Sequence, residues 1–337
     1  MIAAAVALLP VTGFLLGLFF FDSFKLVPRR TVLVALASGA AAAAVALVLH
    51  GWLFRVTGLD PRIFARAVAP VTEETLKALC LLYPLRRRQL GFLVDAAIVG
   101  FAIGSGFALV ENIEYLHGLA RSNIAVWIVR GFGTAVMHAS TTAIVALAAK
   151  SLLDRYPSRG LVLMAPGWAI AVALHATFNR ALVSPLLAAA VLLLVVPLVT
   201  LAVFERSERL TREWVGDGLD LDVELLALIR SSHFGDTRLG RYLAELQSRF
   251  PGPVVADMFC LLQLELELGI RAKGMLMARE AGFEVPIDDE IRASLADRRY
   301  LHKTIGPTGL LALRPLQVTG DRDEWHRYLL RHAGGDK

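Results

Sequence analysis

The stretch VTEETLKALC, Val71 to Cys80, sets two adjacent glutamates and a lysine inside an otherwise apolar run. Further groups able to move protons or polarise a carbonyl stand in apolar surroundings along the chain: Glu111 in GFALVEN, His138 in VMHASTT, and His175 with Asn179 in HATFN. A charge at the centre of a bilayer costs about 3 kcal/mol on insertion scales, so such residues usually face the protein interior and carry function. Facing lipid together, Glu73, Glu74, Lys77, Glu111, His138 and His175 would cost roughly 10 kcal/mol or more, as much as a whole domain's stability. They are therefore expected to meet each other around water.

Helical spacing supports convergence, because residues four apart share a face one turn away from each other. Glu73 and Lys77, Phe107 and Glu111, and His175 and Asn179 are such pairs, so three segments each carry one narrow polar stripe. Glu74 is turned about 100° from Glu73 and lies three residues from Lys77, which puts either carboxylate within the lysine's reach.

The elements that must position these groups are membrane helices. A share of 56% hydrophobic residues and a mean hydropathy of +0.57 are too apolar for an ordinary soluble globule, whose apolar share is nearer half. The excess is confined to residues 1–204, whereas 205–337 carries charges every few positions. The expected architecture is all-α: a polytopic bundle in 1–204 and a soluble cytoplasmic helical domain in 205–337. A span needs roughly 20 apolar residues. About seven windows qualify, near 2–21, 31–54, 64–85, 91–116, 124–149, 160–181 and 183–204. The first lacks a basic residue before its apolar run, which separates it from a signal peptide.

Basic residues in the connections set the expected orientation. Lys25, Arg29 and Arg30, then Arg86, Arg87 and Arg88, then Lys150, Arg155 and Arg159, then Arg206, Arg209 and Arg212 fall on one side, read as the cytoplasm. The opposite loops carry Arg55, Arg62 and Arg66, then Arg121, then Arg180. The N-terminus is then outside, and the protein is a multi-pass component of a bacterial inner membrane. Counted from the outer ends of the spans, Glu73 lies roughly 14 Å deep, Glu111 roughly 9 Å, His175 roughly 10 Å and His138 roughly 16 Å. One cavity open to the outside would produce that agreement. Arg130 is expected to reach outward to the surface, and Asp95 to lie near the inner edge. Pro70 disturbs its helix just before the glutamates, and Gly100, Gly104 and Gly106 admit a close neighbour.

The net charge of +5 is accounted for by loop arginines and calls for no nucleic acid partner. Cys80 and Cys260 imply no disulfide framework.

EETLK at Glu73 to Lys77, FALVE at Phe107 to Glu111 followed by Asn112, and His175 to Asn179 resemble, in this order, the EExxK, FxxxE(N) and HxxxN motifs of the PrsW family of intramembrane proteases. That family is similar to the wider group of CAAX prenyl endoproteases and bacteriocin-processing membrane enzymes, in which the first motif typically ends in arginine and the second in histidine. Lys77 and Glu111 favour PrsW. The resemblance covers residues 1–204 and implies cleavage of a membrane-anchored, single-span protein of the anti-sigma-factor kind on the extracytoplasmic side.

Peptide hydrolysis needs a nucleophilic water and a stabilised oxyanion. The expected division of labour has Glu73 or Glu74 activating water while Lys77 holds the other carboxylate charged. Glu111 and His138 complete the proton handling, and His175 with Asn179 polarises the scissile carbonyl. No cofactor is expected. A zinc-dependent protease is the nearest alternative, since carboxylates and imidazoles also bind zinc, but no HExxH helix is present. A proton-coupled transporter or channel is the alternative from another class.

In 205–337 the segments 223–234 and 238–280, the latter interrupted by PGP at 251–253, read as amphipathic helices. Lys303 to Leu316, with Gly306, Pro307, Gly309 and Pro315, reads as a loop. The region carries no catalytic cluster. It is expected to bind a cytoplasmic partner, to self-associate or to regulate.

Overall fold

A computed structural model describes residues 2–21, 27–87, 89–118, 123–283 and 285–316. Lys25, Arg88 and Arg121 of the charge count, and residues 317–337 of the expected C-terminal domain, lie outside them. The chain divides into two compact units, Met1–Ser207 and Glu208–Lys337.

The first unit is a helical bundle: α1 (Ile2–Phe21), α2 (Arg29–Thr57), a short α3 (Pro61–Ile63), α4 (Ala69–Arg86), α5 (Leu93–Gly118), a short α6 (Ile124–Ile128), α7 (Ala135–Arg155), α8 (Ala165–Asn179) and the apolar first part of α9 (Pro185–Arg230). Helix α5 lies at the centre, buried from Val94 to Ala108 and packed against α1, α2 and α7. Its glycines make that possible. A Cβ on Gly104 would sit 2.3 Å from the His138 carbonyl oxygen, and one on Gly106 would sit 2.0 Å from that of Leu36. The expected close approach thus has two partners, α7 on one side and α2 on the other. Helix α4 packs on α2, α7 and α8.

Among the described residues, six helices are long and apolar enough to cross a membrane: Ile2–Phe20, Arg29–Thr57, Leu93–Gly118, Ile124–Arg155, Arg159–Asn179 and Pro185–Arg230. The protein is therefore a polytopic membrane protein. The expected third span falls short of that description because α4 holds Glu73, Glu74, Lys77 and Arg86 within its length. Those first three side chains are buried by neighbouring helices.

Two π-helical turns interrupt the bundle, Phe64–Val68 before α4 and Val129–Thr134 before α7. The first explains how Pro70 is accommodated. The Ala69 amide donates to the Phe64 carbonyl, five residues back. The next bond in that register would need an N–H that Pro70 lacks.

In the second unit, α10 (Arg238–Leu246), α11 (Gly252–Glu280) and α12 (Asp289–Leu313) close over Leu243, Met258, Leu261, Leu301 and Leu313. Thr237 and Asp288 cap α10 and α12 through their side-chain oxygens. Lys273 and Asp222 form a buried ion pair at 2.7 Å. Helix α9 is continuous from 185 to 230. One expectation is corrected here. The stretch 303–316 is not a loop. Gly306 breaks α12 with φ 70°, and helix resumes at once, because proline's fixed φ suits a first helical position.

Candidate active site

Helix α4 brings Glu73, Glu74 and Lys77 to the interior, where Glu74 and Lys77 are wholly enclosed and Glu73 nearly so. Lys77 Nζ donates to Glu74 Oε1 at 2.6 Å. The same oxygen lies 2.8 Å from His175 Nδ1 and 3.2 Å from Thr141 Oγ1. Glu74 therefore ties α4 to α7 and α8 at one point. A second link, from Trp168 Nε1 to Thr75 Oγ1 at 3.1 Å, holds α8 to α4 one residue away.

His138, on α7, bridges the Lys77 ammonium of α4 and the Glu111 carboxylate of α5. Its Nδ1 lies 3.1 Å from Lys77 Nζ, which can only donate, so Nδ1 accepts. Its Nε2 then carries the hydrogen and donates to Glu111 Oε2 at 3.0 Å. Phe107 lies one turn before Glu111 on α5. Its ring faces the imidazole at 5.2 Å and the Lys77 ammonium at 5.1 Å. The His138 and His175 rings meet edge to face, 4.8 Å apart.

Glu73 differs from every other acid in the cluster. Among the described residues neither of its oxygens takes part in a hydrogen bond, and Oε2 is buried. That oxygen lies 3.9 Å from His138 Nδ1 and 3.9 Å from His175 Nε2. Oε1 lies 3.9 Å from His50 Nδ1. Such gaps are too long for hydrogen bonds and suit a bridging atom.

Of the residues singled out in the sequence, Glu73, Glu74, Lys77, Glu111, His138 and His175 come together in this cluster. Asn179 stands apart and partly buried, its Nδ2 donating to the Ala65 carbonyl at 2.9 Å. That carbonyl belongs to the first π turn, and it is the acceptor that an N–H at Pro70 would have served.

Sequence reasoning missed His50 and Thr141 and misplaced Arg130. Rather than reaching outward, Arg130 packs inward. Its Nη2 is 3.1 Å from Glu111 Oε2, its Nε donates to Asn112 Oδ1 at 3.0 Å, and its guanidinium covers the Tyr115 ring at 3.5 Å. Asn112 Nδ2 in turn donates to the Ala7 carbonyl of α1 at 2.7 Å. The available signals were an arginine and an acid that the second π turn brings level, a threonine three residues after His138 on its own face, and a lone histidine near the end of an apolar run.

The donor set also fits a metal ion. Glu73, His138 and His175 each offer a ligand atom, all within 4.8 Å of one another. A zinc ion with bonds of about 2.0–2.2 Å would draw such atoms slightly closer. Each imidazole is backed by a carboxylate, Glu111 behind His138 and Glu74 behind His175, as metal-bound histidines commonly are. The Lys77 contact to His138 Nδ1 is the one hydrogen bond an ion there would replace.

A helical membrane protein with a buried cluster of carboxylates, imidazoles and an ammonium has the makings of a membrane-embedded hydrolase. The chain belongs to the family described as PrsW family intramembrane metalloprotease, which it matches over residues 27–203, more than half of its length. It is accordingly a membrane-embedded peptidase. No curated protein and no solved structure matches the chain.

Proposed function

We propose that the protein is an endopeptidase that cuts a single-span, membrane-anchored protein of the anti-sigma-factor kind near its extracytoplasmic face. Glu73 is the group that acts on water. The observation that carries this reading is the contrast between the two adjacent acids: Glu74 is bound by Lys77 and His175, whereas Glu73 accepts no hydrogen bond among the described residues and is ringed by three imidazoles at 3.9 Å. A carboxylate already neutralised by an ammonium is a poor base, and one held without a donor is available to take a proton.

In this reading Glu74 and Lys77 form the fixed charge pair that orients His175. Glu111, held by Arg130, orients His138. Asn179 has a second amide hydrogen to offer the scissile carbonyl oxygen. Glu73 through Oε2, with His138 and His175, would hold a divalent ion, zinc by its ligand preference, which would acidify water and polarise the carbonyl, and Oε1 would stay free to take the proton. The family's description and the Glu/His/His donor set favour this over metal-free hydrolysis.

Two measurements test the reading. Membrane proteomes of cells carrying the wild-type chain or Glu73→Gln are compared for a single-span protein clipped near its outer face, and the clipped form is expected only with wild type. Elemental analysis of the purified full chain is expected to give near-stoichiometric zinc that falls in His175→Ala. Clipping by Glu73→Gln would overturn the assignment of the base, and zinc-free active protein would overturn the metal.

A further inference from the structure

His50 lies near the C-terminal end of α2, outside all three motifs, and its ring stands edge to face against Phe64 at 5.2 Å. Its Nε2 is 2.7 Å from Thr72 Oγ1. The Thr72 hydroxyl also lies 3.1 Å from the Val68 carbonyl and 3.0 Å from the Ala69 carbonyl, so its hydrogen has backbone acceptors within reach. In the arrangement that serves those carbonyls, Thr72 Oγ1 accepts and His50 Nε2 carries the hydrogen. A neutral imidazole protonated on Nε2 presents Nδ1 as an acceptor. That acceptor faces another, Glu73 Oε1, across 3.9 Å.

Two acceptors cannot bond each other, but one water can serve both. Two O–H contacts of about 2.8 Å, splayed at a water's angle, span about 4.4 Å, and a modest narrowing of that angle fits the 3.9 Å gap. A water held so has both hydrogens engaged and turns a lone pair outward, the orientation attack on a carbonyl requires. We infer that His50 is a further residue of the hydrolytic site, which with Glu73 Oε1 holds and orients the attacking water.

The inference rests on the reading of Glu73 as base. In the step, the water O–H bond facing Glu73 breaks and its proton passes to that carboxylate while the oxygen bonds to the scissile carbonyl carbon. The C–N bond then breaks, and the proton moves from Glu73 to the departing nitrogen. The water's second hydrogen stays on the new carboxyl group. His50 ends the cycle with the protons it began with. Helix α2 thereby contributes to the chemistry through His50, which faces Glu73 Oε1, while His138 and His175 face Oε2.

The test separates a water-holding role from a helix joint. Asn at position 50 keeps an oxygen near the place of Nδ1 and loses the Thr72 contact, whereas Gln keeps a donor near the place of Nε2 and loses the acceptor. Both variants and Glu73→Gln are made in the full chain in detergent and assayed on a single-span reporter that the wild-type chain cuts. His50→Gln is expected to lower kcat by about 10- to 100-fold at unchanged KM, with His50→Asn retaining most of it. Retention by Gln with loss by Asn, or equal loss by both, would mark a structural contact and overturn the inference. Wild-type rates in both, with Glu73→Gln inactive, would overturn the inference and leave the Glu73 reading standing. An active Glu73→Gln would remove that reading itself. Independently of any substrate, nitrogen NMR of ¹⁵N-histidine-labelled protein is expected to show His50 Nδ1 without a hydrogen, and a protonated Nδ1 would overturn the inference.

Discussion

Glu74 has an ammonium 2.6 Å away and an imidazole 2.8 Å away, while Glu73, one residue earlier, has neither. The two acids should therefore fail differently. Glu73→Gln removes a group that bonds no described side chain, so in the metal-free protein it leaves no partner stranded. It is expected to abolish cleavage, a loss of about 10²-fold or more, while the melting midpoint in detergent stays within error of wild type. Glu74→Gln strands the wholly buried Lys77 ammonium, and breaking a buried pair by one partner costs on the order of 3–5 kcal/mol. That variant is expected to melt markedly lower, and Glu74→Gln with Lys77→Met is expected to recover part of the loss. The sequence placed both acids within the lysine's reach and so left the base undecided. The choice is made by His175 and Thr141, which approach Glu74 from helices far along the chain, and no spacing within α4 encodes that. His50 was hidden for the same reason. A lone histidine near a helix end is ordinary, and only the fold sets Thr72 and Glu73 on either side of it.

At the scale of elements, both described π turns fall one or two turns before site residues: the Phe64–Val68 turn precedes Glu73 and Glu74, and the Val129–Thr134 turn precedes His138. A π turn inserts one extra residue and rotates everything beyond it, which is one way to aim a side chain inward. Pro70 was a visible sign of disturbance, but a proline does not say how the freed carbonyl is satisfied. Here Asn179 supplies Ala65 with the hydrogen that Pro70 lacks, so α8 is fastened to the turn that aims α4. Asn179→Ala is expected to cost about 1 kcal/mol through that bond. In a Pro70→Ala background, which restores the backbone donor, the same substitution should cost little. A double-mutant cycle on melting midpoints measures the coupling. Cleavage is expected to stay lost in the double variant, since the amide also faces the scissile carbonyl in the proposed mechanism, and restored cleavage would make Asn179 a fastening residue only. The glycines were more legible. Their spacing announced a close approach, and Gly104→Leu is expected to force α5 off α7 and lower the yield of folded protein, because the clash is with backbone that cannot swing away.

For the whole molecule the deciding question is one of parity. Six helices qualify as spans by length and composition, and an even number of crossings would put the two ends of the bundle on one side. Helix α4 is the seventh candidate. It is disqualified only by Glu73, Glu74, Lys77 and Arg86, and the first three of these are enclosed by α2, α7 and α8 rather than offered to lipid. Enclosed by protein, they would not carry the cost that makes charged segments poor spans, and we propose that α4 also crosses, which would make the count odd. On that proposal the basic residues Arg86, Arg155, Arg159, Arg206, Arg209 and Arg212 would share the side of the second unit, the cytoplasm by the positive-inside tendency. Cys260, exposed in that unit, reports on this without any added cysteine, since Cys80 is partly buried in α4. A membrane-impermeant maleimide applied to intact spheroplasts of cells expressing the Cys80→Ala chain is expected to leave Cys260 unlabelled, and to label it in inside-out vesicles. Labelling of intact spheroplasts would make the number of crossings even or the orientation opposite. The Glu73 cluster, proposed to act at the extracytoplasmic face, would then serve the other side and a different substrate population.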